Sequence, residues 1–116
     1  MGLQIFGTRK CPDTRKAERY FKERGITYQF VDLAEKGISA GELAGVIAAV
    51  KTADGAVALI DTGGKRFRDR GLAYQDYDAE AEILADPLLL KTPIVRDGRK
   101  AVIGDDPAGW KGMLGS

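Results

Sequence analysis

The residue of this chain best suited to chemistry is Cys11, its only cysteine. It follows an apolar stretch at residues 3–6 that is typical of a short strand, and it precedes Pro12, which begins a segment typical of a helix. Proline is favoured at the first helical position because the N–H that it lacks has no partner there. We therefore expect the Cys11 sulfur at or beside the helix N-cap, where unpaired N–H groups and the helix dipole favour the thiolate, which is the nucleophile.

Three neighbours of Cys11 are predicted to stabilise its thiolate. Thr14 can donate a hydroxyl hydrogen bond, and Lys10 and Arg15 add positive charge. A pKa one unit lower requires only about 1.4 kcal/mol of differential stabilisation. The carboxylate of Asp13 would act in the opposite direction if it lay close. The alternative is that Cys11 is a small buried apolar residue without chemistry, which is common for single cysteines.

Composition narrows the classes of function. The 116 residues carry 18 Lys and Arg against 17 Asp and Glu, so no overall field favours nucleic acid or a membrane surface. No apolar run approaches the roughly 20 residues that span a bilayer, and the N-terminus lacks the apolar region of a signal peptide. A single cysteine excludes an internal disulfide and suits a reducing compartment, so we expect a cytoplasmic protein. The chain has no histidine, so we expect no metal site and no Cys-His or Ser-His catalysis.

The elements that must position Cys11 follow from the sequence periodicity. Residues 3–6, 12–24 and 26–32 predict a strand, a helix and a second strand, and such a unit makes the two strands parallel. A helical region of about 37–90 comes next. It contains a helix that begins at Ser39 with a capping box to Glu42, a short helix at 54–61, a basic loop at 62–71 and a helix at 78–85 capped by Asp78.

The C-terminal part predicts a hairpin and a last helix. Residues 93–96 and 100–103 flank the turn signal Asp97-Gly98, and a short helix begins near 105–107. This order predicts a single α/β domain over residues 1–116, with the thioredoxin-like four-stranded mixed sheet and a helical insertion between the βαβ half and the hairpin. In such folds a proline at the start of the third strand is cis and lies against the cysteine, which suggests a cis Thr92–Pro93 bond. The alternative is a proline that simply begins an edge strand.

With these residues in place, the chain resembles the arsenate reductase (ArsC)/Spx family of thioredoxin-fold proteins. Four segments carry the resemblance: residues 5–17, residues 25–32, Gly71-Leu72, and residues 90–95 with Gly98 and residues 102–104. The resemblance implies that Cys11 is a thiolate nucleophile that attacks an oxyanion or a mixed disulfide. Glutathione or a small redoxin would then resolve the product, with no bound cofactor. Spx-type members have cysteine at the first and fourth motif positions, whereas Thr14 is fourth here, so the chain would act as a monothiol.

Two departures from the family argue against efficient arsenate reduction. The family's reductases have an arginine immediately before the third-strand proline, where this chain has Thr92. They have another in a loop that aligns near Gly63, although a small shift would bring Arg66 there. We therefore expect thiol exchange or deglutathionylation, with Thr92 and Pro93 forming the edge on which the substrate lies. The candidates for binding an anion or a glutathione carboxylate are Arg15, Arg66, Arg68, Arg96 and Arg99. Arg66 and Arg68 are assigned to the substrate site, and the alternative for each candidate is a solvated surface charge.

Two other readings of the chain stay open. The first is a non-enzymatic, Spx-like regulatory module that binds a protein partner such as RNA polymerase through the first helix and the insertion. The second is a degenerate fold without surviving chemistry. Nucleic-acid binding by the basic run at 65–70 is not expected, because Asp69 interrupts the run and the whole chain is nearly neutral.

Overall fold

Four strands form one mixed sheet in the computed structural model, which describes residues 2–51 and 53–114. The strands are β1 (Leu3–Gly7), β2 (Tyr28–Asp32), β3 (Ile94–Asp97) and β4 (Lys100–Ile103), in the order β2-β1-β3-β4. β1 pairs in parallel with β2 and antiparallel with β3, and β3 pairs antiparallel with β4. The predicted βαβ half and C-terminal hairpin are therefore confirmed, together with the thioredoxin-like fold class.

The helices fall into two groups by their place in the chain. Two of them, α1 (Pro12–Glu23) and α5 (Pro107–Leu114), belong to the two halves that supply the strands. The others lie between β2 and β3, as the sequence predicted for the insertion. They are the α-helices α2 (Ala40–Val50), α3 (Lys65–Asp69) and α4 (Ala79–Ala85), and the 3-10 helices Gly55–Leu59, Leu72–Tyr74 and Pro87–Leu89.

The sheet buries both of its faces, because neighbouring residues of a strand point to opposite sides. Ile5 of β1 and Val95 of β3 belong to a cluster that also contains Phe21 of α1 and Trp110 of α5. The adjacent Phe6 belongs to a second cluster on the other face, together with Ile94 and the apolar residues of the insertion. The central strand β1 is thus held from both sides, which fixes the point at which the chain leaves it towards Cys11.

Local signals in the sequence fix several helix and strand ends as expected. Ser39 accepts from the Glu42 N–H at 3.1 Å, while the Glu42 carboxylate accepts from the Ser39 N–H at 3.0 Å, which completes the predicted capping box. Asp78 caps α4 by accepting from the Ala81 N–H at 3.2 Å. Gly98 has a φ of 61°, which the tight turn between β3 and β4 requires.

The prediction of a basic loop at residues 62–71 is wrong in its central part, where α3 forms. Phe67 is buried there, and Lys65 pairs with Asp69 one turn later at 2.6 Å. The buried Phe67 anchors this short helix to the core, and the glycine-rich flanks conceal it in the sequence, whereas the exposed i,i+4 pair contributes little. The short helix expected at 54–61 is a 3-10 helix, and β2 begins at Tyr28, two residues later than predicted.

Candidate functional site

Cys11 is the N-cap residue of α1, as its position before Pro12 predicted. Its backbone is extended (φ −78°, ψ 117°), and its N–H donates to the Thr8 carbonyl at 3.2 Å. Its own carbonyl accepts from the Arg15 N–H at 3.1 Å. The backbone of Cys11 is thus fully engaged by the turn and the helix, while the side chain is partly exposed.

Thr92 is the side chain that contacts the sulfur from across the molecule. Its hydroxyl donates to Cys11 Sγ at 3.2 Å, and its carbonyl oxygen lies 3.9 Å from the same sulfur. The Thr92–Pro93 bond is cis, as hypothesised, and Pro93 is buried. The hydroxyl can donate to either protonation state of the sulfur, whereas the carbonyl can accept only from the thiol. Thr92 therefore faces the sulfur with one group that suits the thiolate and one that suits the thiol.

Thr14 approaches the sulfur from the first turn of α1. Its side chain is fully buried, and among the described residues its hydroxyl makes no hydrogen bond of ordinary distance and angle. It nevertheless faces Cys11 closely enough to lower the thiol pKa. The close approach of β1 behind it depends on Gly7, because a Cβ there would lie 2.4 Å from Thr14 Oγ1.

The pKa of Cys11 lies below its ordinary value as the balance of opposed effects. Burial of the sulfur raises the pKa, since the charged form loses solvation. The hydroxyls of Thr14 and Thr92 lower it, and the backbone N–H groups of Thr14 and Asp13 lower it further. The Asp13 N–H thus lowers the pKa of Cys11, whereas a nearby Asp13 carboxylate would have raised it. Four neutral donors outweigh burial and favour the thiolate.

The cations predicted to help Cys11 lie on the surface of the protein. Lys10 and Arg15 are exposed, and they are not among the groups that set the pKa of Cys11. Their role in stabilising the thiolate therefore stays a prediction. The next cation, Lys16, pairs with Asp105 at 3.0 Å and ties α1 to the residues before α5.

The candidate anion-binding arginines of the insertion are engaged within the protein. Arg66 Nε donates to Asp86 Oδ2 at 2.8 Å, and Arg68 Nη1 donates to the Gly63 carbonyl at 2.6 Å. Arg70 binds the same Asp86 oxygen at 3.3 Å and also pairs with Glu82. The substrate role of Arg66 and Arg68 stays a prediction. The sequence analysis missed Asp86, because nothing local marks a carboxylate that meets its partners from 16 and 20 residues away.

The described part of the chain contains neither a metal-binding cluster nor a membrane-spanning helix. Residues 2–51 and 53–114 contain no cluster of three or more His, Cys, Asp or Glu side chains that could hold a metal ion. No helix within those ranges has the length and apolar character needed to cross a membrane.

The fold and the site together define a thioredoxin-like protein whose single cysteine is the N-cap residue of a helix and contacts the threonine that precedes a cis-proline. The chain belongs to the ArsC family, which it matches over residues 6–113. It is 29% identical over 107 residues to the global transcriptional regulator Spx 2 of Oceanobacillus iheyensis, covering 90% of this chain and 77% of that protein.

Solved structures show the same likeness in three dimensions. An arsenate reductase (ArsC) related protein from Brucella melitensis is 25% identical with a TM-score of 0.69, covering 100% of this chain and 97% of the other. The arsenate reductase from Vibrio cholerae has a TM-score of 0.80 at 20% identity, covering 98% of each chain, and thus supports the fold alone.

Proposed function

We propose that this protein is a monothiol thiol–disulfide oxidoreductase of the ArsC family, with Cys11 as the nucleophile and glutathione or a small redoxin as the resolving thiol. The observation that carries the proposal is the hydrogen bond of 3.2 Å from the Thr92 hydroxyl to Cys11 Sγ. It accompanies three other neutral donors that favour the thiolate. A partly exposed thiolate at a helix N-cap is the arrangement that thiol exchange requires.

The proposed reaction has two exchange steps. The Cys11 thiolate attacks the glutathione sulfur of a mixed disulfide, so that a Cys11–glutathione disulfide forms and the substrate leaves as a thiolate, which takes a proton from water. A second glutathione thiolate then attacks the sulfur bound to Cys11, which yields oxidised glutathione and restores the Cys11 thiolate. Overall, the mixed disulfide and one free glutathione are converted into the substrate thiol and oxidised glutathione, one half of which comes from the substrate. An external thiol is needed because the chain has no second cysteine.

Thr92 supports disulfide substrates over arsenate in this proposal. A neutral hydroxyl and a carbonyl face the sulfur at the position where the family resemblance places an arginine in reductases. An oxyanion would lack a bidentate cation at that point. An extended glutathione or peptide backbone could instead hydrogen-bond to the Thr92 main chain, beside the buried Pro93. Arg66 and Arg68 are proposed as the cations of the insertion that bind a glutathione carboxylate.

The test is steady-state reduction of a glutathionylated peptide, with oxidised glutathione measured by a coupled reductase. We expect turnover by the native protein and none above background by Cys11→Ser, since the hydroxyl of serine is not ionised at neutral pH. Parallel reactions with glutathione alone and with a redoxin distinguish the two resolving thiols. Activity that persists in Cys11→Ser would refute the proposal, and so would a native protein that is inactive with both donors.

A second candidate function rests on the similarity to Spx 2. It is a regulatory module that binds a protein partner, such as RNA polymerase, through α1 and the insertion without using the thiol. The insertion exposes Tyr74, 94% of whose surface is accessible, and half of Val57, and exposed aromatic groups are favoured at protein interfaces. The test is binding of purified RNA polymerase to the native protein, to Cys11→Ser and to Tyr74→Ala. Equal binding by the first two and weaker binding by the third would favour this function.

A further inference from the structure

The face of the sheet that packs against the insertion is apolar at one end and polar at the other. Gln4, Gln29 and Arg96 are cross-strand neighbours and lie on the same face as buried Phe6 and Ile94. The Gln4 amide donates to the Gln29 side-chain oxygen at 3.1 Å. These polar side chains lie at the end of β1 opposite to Cys11. Arg96 is paired with Gln4, three residues before the end of β1, and three strand residues span about 10 Å.

Open space surrounds this polar end of the sheet. A cavity of about 500 Å³ is lined by Gln4, Gln29 and Arg96, among others. A second cavity, of about 280 Å³, shares Arg96 and Gly98 with the first and extends to α2. A third, of about 400 Å³, shares Gln29 and extends to the start of α2. We call these three adjoining cavities the basic trough.

The trough carries an excess of positive charge in a nearly neutral chain. Its lining contains one carboxylate, that of Glu42, which is already engaged in the Ser39 capping box. It also contains four cations, at Lys36, Lys51, Arg96 and Arg99. The chain as a whole has a formal net charge of only +1. Cations gathered at one concave surface attract anions to it.

Arg96 is the central cation of the trough and is held in place by its packing. It is half-buried, and its Nε donates to the Gly98 carbonyl at 2.9 Å. A Cβ at Gly45 of α2 would lie 2.6 Å from one terminal nitrogen of Arg96 and 2.7 Å from the other, so the guanidinium packs closely against a helix that has no side chain there. Among the described residues, none of the ion pairs involves Arg96.

We propose that the basic trough binds a small polyanion, either a polycarboxylate or a phosphate ester, with the Arg96 guanidinium as its principal contact. A guanidinium offers paired N–H donors that match both carboxylate and phosphoryl oxygens. The terminal nitrogens of Arg96 have no carboxylate partner in the described structure, and Lys51 and Arg99 supply further charge beside them. The glutamine amides on the sheet face can bind uncharged polar groups of the same ligand. This site is separate from Cys11 and independent of the proposed thiol chemistry.

The test is calorimetric titration at fixed ionic strength with two probes, citrate and pyrophosphate, which distinguish the carboxylate source from the phosphoryl source. We expect saturable one-to-one binding of at least one probe to the native protein and equal binding to Cys11→Ser. Arg96→Gln should weaken it about tenfold or more, as loss of a bidentate charged contact implies. Arg19→Gln, an exposed cation on α1, serves as the matched control and should bind as the native protein does.

Gly45→Ala provides the sharper variant, because it keeps every charge. Alanine is a better helix former than glycine, so α2 should remain folded while the new methyl group displaces the guanidinium. We expect this variant also to lose the probe, with an unchanged circular dichroism spectrum. The proposal is overturned if neither probe binds, if Arg96→Gln or Gly45→Ala binds as the native protein does, or if Cys11→Ser abolishes binding.

Discussion

The turn around Cys11 and the junction of α3 with α4 use polar groups in opposite ways. At the turn, the sulfur is surrounded by neutral donors, the hydroxyls of Thr14 and Thr92 and two backbone N–H groups. At the junction, full charges meet: Asp86 binds Arg66 and Arg70. The first arrangement lowers the pKa of a group that stays accessible, whereas the second pairs opposite charges between two helices.

The comparison shows why neutral donors suit a reactive sulfur. A cation in contact with the thiolate would stabilise it strongly, but it would also lower its nucleophilicity and block the approach of a substrate. Hydroxyl and N–H donors stabilise the thiolate less strongly. They also leave the exposed side of the sulfur open to a substrate. The ionic junction has no such requirement, because nothing needs to approach Asp86.

Among changes to these two regions, Thr92→Val is expected to have the largest effect, and that effect is on the pKa of Cys11. The substitution removes one hydroxyl and keeps the shape of the side chain. The Thr92 hydroxyl donates to Cys11 Sγ at 3.2 Å and lowers the pKa of the thiol, so its removal should raise that pKa. The pH dependence of iodoacetamide alkylation measures this pKa directly, because the chain has one thiol. An unchanged pKa would show that the Thr92 contact does not stabilise the thiolate.

Thr14→Val should make the thiolate of Cys11 less stable but the folded protein more stable. Loss of the donor should raise the pKa of Cys11. The same change removes a buried hydroxyl that lacks a hydrogen bond of ordinary geometry, so the protein should become more stable by about 1 kcal/mol. Urea unfolding at a pH below the measured thiol pKa isolates the second effect, because Cys11 is then protonated. A loss of stability under those conditions would mean that the hydroxyl is satisfied in solution.

Asp86→Asn tests the ionic side of the comparison. Burial raises the pKa of the Asp86 carboxyl, but hydrogen bonds and charges from Arg66 and Arg70 lower it more. A lowered folded pKa means that the stabilisation is present above the ordinary carboxyl pKa of about 3.9 and is lost as the pH falls through the folded value. At neutral pH we expect a thermal midpoint lower by about 5 °C. The difference from the native protein should disappear in acid.

Asp69→Asn is the matched control for Asp86→Asn. Its pair with Lys65 lies on the surface, with more than half of each side chain exposed, and such pairs contribute little. Its thermal midpoint should therefore equal that of the native protein. A decrease as large as that of Asp86→Asn would indicate that burial does not distinguish the two pairs.

The smallest effect is expected from Lys10→Gln combined with Arg15→Gln. Both cations are exposed, so water and salt screen their action on the sulfur, and the pKa of Cys11 should rise only slightly at low ionic strength. Alkylation at low and at high salt measures the change, which salt should remove. A shift as large as that of Thr92→Val would show that charges, and not neutral donors, govern the thiolate.

Local patterns in the sequence predicted most of the fold. The Ser39–Glu42 capping box, the Asp97-Gly98 turn and Pro12 after Cys11 each specify a structure within a few residues. The helix α3 was missed because its stability comes from Phe67 in the core and from Asp86, which lies far along the chain. For the site, the sequence predicted Cys11 and Thr14 from one turn of helix. It placed Thr92 at the substrate edge, but it could not show that the Thr92 hydroxyl points at the sulfur.

Gly7 restricts which substitutions the chain can accept beside Cys11. Because a Cβ there would lie 2.4 Å from Thr14 Oγ1 and 2.6 Å from Thr14 Cγ2, any larger residue at position 7 demands a smaller one at position 14. Relief of that clash would remove the hydroxyl that faces Cys11. Positions 7 and 14 should therefore change together among descendants of this protein. A lineage that replaces Gly7 would therefore lose one of the two hydroxyls that face the sulfur, even while its cysteine is retained.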